Sequence, residues 1–180
     1  MIDIDRLNKC DKDELYVTEK HVFFFGSAFS NFYPTSFTYS AFGERHRFCT
    51  SEQAFMWHKA MTFGDLEAAQ AILSEDTDPY KCKQLGRKVK NYDDARWSEI
   101  RYDVFLSVNE EKFTQDEKLN SFIKESRFDG KIFVEASPYD KIWGIRMAIG
   151  DPDIDDESKW RGQNLLGRCI TEVRRRILAK

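Results

Sequence analysis

The chain has 180 residues, a length typical of one folded domain, and 41% of them are hydrophobic, which excludes a natively disordered protein. Its 28 basic and 31 acidic residues leave a net charge of -3, which argues against binding nucleic acid or anionic membrane by overall charge. No apolar run reaches the length of a membrane span, and the four cysteines are widely spaced. We therefore expect a soluble, cytoplasmic protein with no membrane partner.

The first third of the chain is predicted to form strands and turns. Strands are expected over residues 14–20 and 21–25, followed by a turn at 29–34 that is rich in aromatic residues. Alternating apolar residues over 37–41 and a return strand over 45–49 predict a hairpin with its turn at Gly43-Glu44. Residues 131–137 regain strand character, and we expect these segments to form one small sheet.

Helical periodicity begins at Thr50, where Thr50 and Gln53 match a capping box, and this first helix is predicted to end near Met61. The further predicted helices run from Asp65 to Leu73, from Asp78 to about Val89, from Asp93 or Asp94 through Val108, from Gln115 to Arg127, and from about Gln163 onward. The sum is an α+β fold, a helix-rich single domain with a small β-sheet.

Several kinds of site are excluded by spacing. The three histidines lack zinc-ligand spacing, and the sequence contains no GxxxxGK[ST], GxGxxG or GxSxG motif. Any chemistry must therefore come from carboxylates, aromatic rings and amides. We expect no metal and no other cofactor.

Two polar residues share one face of the first predicted helix. Glu52 needs no capping role because Gln53 completes the capping box, so it is either a surface charge favoured by the helix dipole or a carboxylate facing a cleft. Lys59 lies two turns further along. It either contributes charge to a phosphate site or extends its apolar stem along the surface.

Polar and aromatic residues also follow the 131–137 strand. Asp140 either makes an Asx turn or polarises a bond of a bound ligand. Trp143 in the same segment, and Trp97 on the predicted helix that begins at Asp93 or Asp94, are either core residues or stacking platforms. Residues 160–167 open the last helix. Gln163 and Asn164 are either part of an anion-binding site formed by the free backbone N–H groups of its first turn or ordinary first-turn residues. Residues 151–157 are predicted to be a solvated acidic loop.

In chain order, these segments resemble the NADAR superfamily, the YbiA-like N-glycosidases. The resemblance covers the chain from about residue 20 onward, which makes 1–19 an N-terminal extension and 20–180 a NADAR domain with a YbiA-like fold. Family members often carry His after the helix glutamate and a second glycine after the WG pair, where this chain has Gln53 and Ile145. The matching segments are FGSAFSNFYP (25–34), TSEQAFMWHKA (50–60), LGRKV (85–89), ARWSEIRYDV (95–104), KF (112–113), VEASPYDKIWGI (134–145) and WRGQNLLGRCITEVR (160–174).

The resemblance implies hydrolysis of an N-glycosidic bond, either in phosphoribosylamino-pyrimidine intermediates of riboflavin biosynthesis or in ADP-ribosylated guanine, including guanine in nucleic acid. A module that binds ADP-ribose or NAD without turnover is the alternative, although two carboxylates in a pocket disfavour a mere binder of anions. The resemblance implies active-site positions at Glu52, Asp140, Trp97 and Trp143, with Lys59 and Asn164 binding the substrate. We assign catalysis to the two carboxylates and add Arg101 as a phosphate-binding group.

Overall fold

The structure is a computed structural model that describes residues 15–74 and 78–180. Over these residues the chain forms six α-helices and five strands, which confirms the helix-rich α+β fold predicted from the sequence. In chain order the elements are β1 (Leu15–Val17), β2 (His21–Phe24), β3 (Phe37–Ala41), β4 (Glu44–Phe48), α1 (Ser51–Thr62), α2 (Leu66–Leu73), α3 (Pro79–Arg87), α4 (Asp94–Gln115), α5 (Glu117–Ile123), β5 (Ile132–Glu135) and α6 (Leu165–Leu178).

The described residues form two compact units. Unit 1 comprises residues 15–33 and 121–180, and unit 2 comprises residues 34–74 and 78–120. Most of the N-terminal extension predicted for 1–19 lies outside the described residues; its last residues include β1. The chain leaves unit 1 after β2, forms unit 2, and returns to unit 1 within α5.

Unit 1 is built on a three-stranded sheet in the order β1-β2-β5. The central strand β2 pairs antiparallel with β1 and parallel with β5, with His21 opposite Ile132 and Phe24 opposite Glu135. Every residue of β2 is buried because both faces of the strand are covered. Phe23 and Val134 pack on one face with Ile145 and Met147, while Phe133 on the other face lies 4.7 Å from Phe29, centroid to centroid.

Unit 2 is built from the β3-β4 hairpin and helices α1 to α4 with the start of α5. The hairpin pairs Phe37 with Phe48, and its turn contains Phe42 and Gly43 in the left-handed region, as a tight hairpin turn requires. The hairpin prediction is confirmed, but the expectation of one sheet is wrong. β3 and β4 form a separate two-stranded sheet because its buried rings, among them Tyr39 and Phe48, pack around Trp57 of α1.

Two other predictions need correction. The helix expected over 115–127 is shorter at both ends. Gln115 is the last residue of α4, and the Asp116 carboxylate accepts hydrogen bonds from the N–H groups of Lys118 and Leu119, so α5 begins at Glu117 and ends at Ile123. The 151–157 loop is not purely solvated. His21 is fully buried in unit 1, with Nδ1 2.7 Å from Asp155 Oδ1 and Nε2 3.2 Å from Glu157 Oε1.

Among the described residues, no helix combines the length and the apolar character needed to cross a lipid bilayer.

We predict that Gly167→Ala destabilises the protein, although alanine is the better helix former. Gly167 lies in α6 against β5, and a Cβ atom there would overlap the Phe133 carbonyl oxygen and the Asn164 side-chain amide. Because backbone cannot yield as a flexible side chain does, we expect the free energy of unfolding to fall by about 1 to 3 kcal/mol in urea titration. The control is Arg168→Ala at the adjacent exposed position. An increase in stability for Gly167→Ala would contradict this packing argument.

Candidate active site

The N-terminus of α1 carries Glu52 in a buried position. The Thr50 hydroxyl accepts the N–H of Gln53, as the capping box predicts, at 3.1 Å. The Gln53 side chain is also fixed, since Oε1 accepts the N–H of Cys49 and Nε2 donates to the carbonyl of Ile72. Thr50 and Gln53 thus form the cap of α1. Its side chain is 4% exposed, which removes the surface-charge interpretation.

Lys59 lies two turns after Glu52 on the same helix. Its Nζ donates to the Gly86 carbonyl at 2.9 Å and lies 4.1 Å from the centroid of the Tyr92 ring. Burial lowers the pKa of Lys59, the carboxylates of Glu52 and Asp94 oppose that shift, and the Arg87 charge adds to it. Lys59 is therefore a half-buried cation held beside two carboxylates, and not a lysine that extends freely into solvent.

Tyr92 and Asp94 belong to this group and were missed by the sequence analysis. The Tyr92 hydroxyl donates to Asp94 Oδ1 at 2.7 Å, and its ring packs edge-on against Phe63. Burial, followed by the hydrogen bond and the charge of Asp94, raises the pKa of Tyr92 to about 12. The available signal was the Asp93-Asp94 pair: Asp93 caps α4 through the N–H of Arg96, which leaves Asp94 for another role.

Arg101 and Trp97 occupy successive turns of α4. Arg101 is partly exposed, and its charge acts on the Tyr92 hydroxyl, so it belongs to the same group. Trp97 is 4% exposed, and its ring lies 5.1 Å from Phe55 and 6.3 Å from Phe63. Of the two interpretations of Trp97, the structure favours the core residue, which supports Tyr92 through Phe63.

Asp140 organises the loop that follows β5 in unit 1. Its Oδ1 accepts the N–H groups of Ile142 and Trp143, both at 2.8 Å, and its own N–H donates to Ser137 Oγ. These are the bonds of the Asx turn that was one of the two predicted roles of Asp140. They use one carboxylate oxygen, and the residue is partly exposed, so the geometry also leaves Oδ2 available for chemistry. Trp143 is half-buried.

The anion-binding site predicted at the start of the last helix is not present. The N–H groups of residues 163, 164, 165 and 166 donate to the carbonyls of residues 141, 144, 142 and 143, at 2.9 to 3.1 Å. A helix N-terminus binds an anion only through free N–H groups, and here the loop that contains Asp140 uses them. These backbone amides are therefore not a phosphate site.

Asn164 has a structural position at this junction. It is 2% exposed and has left-handed backbone angles, and its side chain makes no capping hydrogen bond to α6. Its Oδ1 accepts the N–H of Glu135 and its Nδ2 donates to the carbonyl of Phe133, both at 3.0 Å. Both ends of the amide therefore bind the backbone of β5, which is not the arrangement expected of a substrate ligand.

The seven residues predicted to form a site fall into two groups. Unit 2 brings Glu52, Lys59 and Arg101 together with Tyr92 and Asp94, with Trp97 packed behind them. Unit 1 brings Asp140 and Trp143 together in one loop. The N–H of Asn164 donates to the Gly144 carbonyl in this loop, and its side-chain amide binds the backbone of β5. Within the described ranges, no group of three or more His, Cys, Asp or Glu side chains is arranged to hold a metal ion.

The chain is similar to proteins from widely separated organisms. It is 38% identical to Protein irg-1 of Caenorhabditis elegans over 91% of this chain and 84% of that protein. It is 36% identical to N-glycosidase R617 of Acanthamoeba polyphaga mimivirus over 87% of this chain and 96% of that protein. The NMR structure of the E. coli protein YbiA shares the fold, with a TM-score of 0.66, 20% identity, and coverage of 96% of this chain and 93% of that one.

The match to a family extends over nearly the whole described chain. A model of the NADAR domain matches residues 21–178, which include both groups of candidate site residues. The family inferred from the sequence segments is thus confirmed by this match and by the two relatives. The chain belongs to the NADAR domain family.

Proposed function

We propose that this protein is an N-glycosidase that hydrolyses the bond between the anomeric carbon of a ribose and the nitrogen of a nucleobase-like amine. The observation that carries the proposal is Glu52, a carboxylate that is only 4% exposed yet retains charged neighbours, in a chain whose viral relative is named an N-glycosidase. Burying a carboxylate costs free energy of folding, because burial removes the water that stabilises its charge. Its position supports a role in chemistry.

The bond itself sets what the residues must do. As the C–N bond breaks, its electron pair leaves with the base and positive charge develops on the ribose ring. Water then adds to the anomeric carbon and gives up one proton, while the departing nitrogen gains one. A carboxylate near the ribose stabilises the cationic transition state more than the neutral substrate, which is the condition for a rate increase. The reaction consumes only water and transfers no electrons to a cofactor.

We assign the two catalytic positions to Glu52 and Asp140. Buried at a helix N-terminus, Glu52 is suited to stabilise positive charge or to orient water, because the helix dipole favours its negative charge. Asp140 uses one oxygen to fix its loop, which leaves the second for a water molecule or a leaving base. Trp143, at the same turn, supplies a ring for the base or the ribose.

Lys59 and Arg101 form the proposed phosphate-binding group. Both are cations of unit 2: Lys59 contacts the Tyr92 ring, and the charge of Arg101 acts on the Tyr92 hydroxyl. A phosphate anion pairs with an ammonium or guanidinium group through charge-assisted hydrogen bonds. The substrate is therefore a phosphorylated or pyrophosphorylated riboside. We propose a reducing, cytoplasmic setting for the reaction, as the wide spacing of the cysteines in the sequence predicts.

The test is a panel of four substrates with the released base and sugar followed by mass spectrometry. The panel contains a phosphoribosylaminopyrimidine of riboflavin biosynthesis, ADP-ribosylated guanosine, an ADP-ribosylated oligonucleotide and NAD. Release from the first supports the riboflavin-pathway substrate, and release from the second or third supports removal of ADP-ribose from guanine. Tight binding of ADP-ribose with release from none of the four would overturn the proposal in favour of a binding module.

We predict that Glu52→Gln lowers kcat by about a hundredfold or more, since it removes the charge that stabilises the transition state and keeps the shape of the side chain. The variant should still fold, because Thr50 and Gln53, which cap α1, are unchanged. Steady-state kinetics and thermal denaturation check this together. The control is Glu99→Gln, the same change at an exposed position of α4. Full turnover in Glu52→Gln would remove this residue from the active site.

We predict that Asp140→Asn also slows turnover by about a hundredfold, while the loop keeps its conformation. Asparagine retains the Oδ1 acceptor that binds the N–H groups of Ile142 and Trp143, so only the charge is lost. Asp153→Asn, at an exposed position of the same unit, is the matched control. If Asp140→Asn lowers the melting temperature but leaves the rate per folded molecule unchanged, Asp140 has only its structural role.

We predict that substrate binding weakens as the pH rises into the alkaline range. Burial lowers the pKa of Lys59 from its ordinary value of 10.5, so the cation is lost at a lower pH than in an exposed lysine. Because only the cation attracts phosphate, KM for a phosphorylated substrate should rise as the pH climbs through that lowered pKa. Lys59→Arg keeps its charge in this range and should flatten the rise. Identical alkaline KM profiles for the wild type and Lys59→Arg would exclude Lys59 as the phosphate ligand.

A further inference from the structure

We propose that Tyr92 is a positioning residue that holds the Lys59 ammonium in the orientation needed to bind the phosphate of the substrate. This inference rests on the proposed function and goes beyond it, since Tyr92 lies in none of the segments that carry the family resemblance. It concerns unit 2 alone and depends on contacts within that unit.

The Lys59 ammonium is held by two contacts within unit 2. Lys59 Nζ has three N–H donors; one bonds to the Gly86 carbonyl at 2.9 Å, and the Tyr92 ring lies 4.1 Å away. At that distance the ring attracts the cation through its negative face. These two contacts hold the end of a side chain that otherwise has four rotatable bonds, and the remaining N–H capacity can serve an anion.

The Tyr92 ring is itself held by two neighbours, Asp94 and Phe63. The Tyr92 hydroxyl donates to Asp94 in the first turn of α4, and Phe63 contacts the ring at 5.4 Å between centroids. Phe63 in turn packs on the buried Trp97. Tyr92 is therefore fixed at its hydroxyl and along its edge, although the residue is 43% exposed.

Tyr92 lies among groups of both charges. The cations Lys59 and Arg101 and the carboxylate of Asp94 all act on or contact this one side chain. The Tyr92 hydroxyl is bonded to the Asp94 carboxylate and the Lys59 ammonium lies on its ring face, so one side chain links the two charged groups. The ring thus holds the Lys59 ammonium at a defined place, within reach of the charge of Arg101, which acts on the same side chain.

The test compares Tyr92→Leu with Tyr92→Phe on two substrates, a phosphorylated riboside that the wild type cleaves and the same riboside without its phosphate. Tyr92→Leu removes the ring, and we expect KM for the phosphorylated substrate to rise about tenfold, with kcat within about twofold. On the dephosphorylated substrate KM should stay within about twofold. Tyr92→Phe keeps the ring face and should raise KM by no more than about threefold.

Phe42→Leu is the matched control, because Phe42 is a similarly exposed aromatic residue of the same unit whose ring packs against Trp57 and His58. It should leave KM unchanged on both substrates. A general loss of structure in Tyr92→Leu would affect both substrates alike and lower the melting temperature, so equal losses on the two substrates would overturn the inference. An unchanged KM on both would overturn it as well.

A binding measurement separates this inference from the proposed function. We expect ADP-ribose, titrated calorimetrically, to bind Tyr92→Leu about tenfold more weakly than the wild type. Weaker binding by the variant together with no turnover by the wild type would overturn the N-glycosidase proposal and support the role of Tyr92. Turnover by the wild type with equal binding and equal KM in the variant would do the reverse.

Discussion

A backbone interaction between the loop after β5 and the start of α6 is the constraint on which unit 1 depends. Carbonyls of residues 141–145 accept N–H groups of residues 161 and 163–166. The first N–H groups of a helix must find acceptors, and in this protein another loop supplies them instead of water or a ligand. Gly162 makes this possible, because a Cβ atom there would overlap the Gly144 carbonyl. The loop that carries Asp140 is therefore anchored to α6 by backbone hydrogen bonds.

Unit 2 solves a different problem, which is how to bury charge beside an apolar core. Glu52 is buried on α1 and Lys59 is half-buried two turns further along, and each charge would be costly alone because burial removes hydration. Their opposite charges offset part of that cost, and Tyr92 and the Gly86 carbonyl give the ammonium further partners. Such groups are retained where their charge is useful, since a well-packed apolar pair of similar volume would be no less stable.

The aromatic residues that make up 14% of the chain form two sets, one that fills the cores and one that lies beside charged or polar groups. Most fill cores: Phe29, Phe122, Phe128 and Phe133 contact one another in unit 1, and Trp57 is fully buried against the hairpin in unit 2. Tyr92 and Trp143 remain partly exposed beside charged or polar groups. Trp97 was expected among the second set and belongs to the first, because Phe55 and Phe63 cover its ring.

The sequence by itself determined the family, the α+β class, the hairpin, and the capping of α1 by Thr50, because these depend on local patterns and on the order of segments. It also pointed to Glu52, which local capping left without another role. The tertiary structure decided the rest. Whether the N–H groups of α6 were free, whether Asn164 faced a ligand or β5, and whether Tyr92 met Lys59 depended on residues tens of positions apart in the chain. A helical period reports which side of a helix is apolar, but it carries no information on which distant carbonyl, ring or charge will lie against that side.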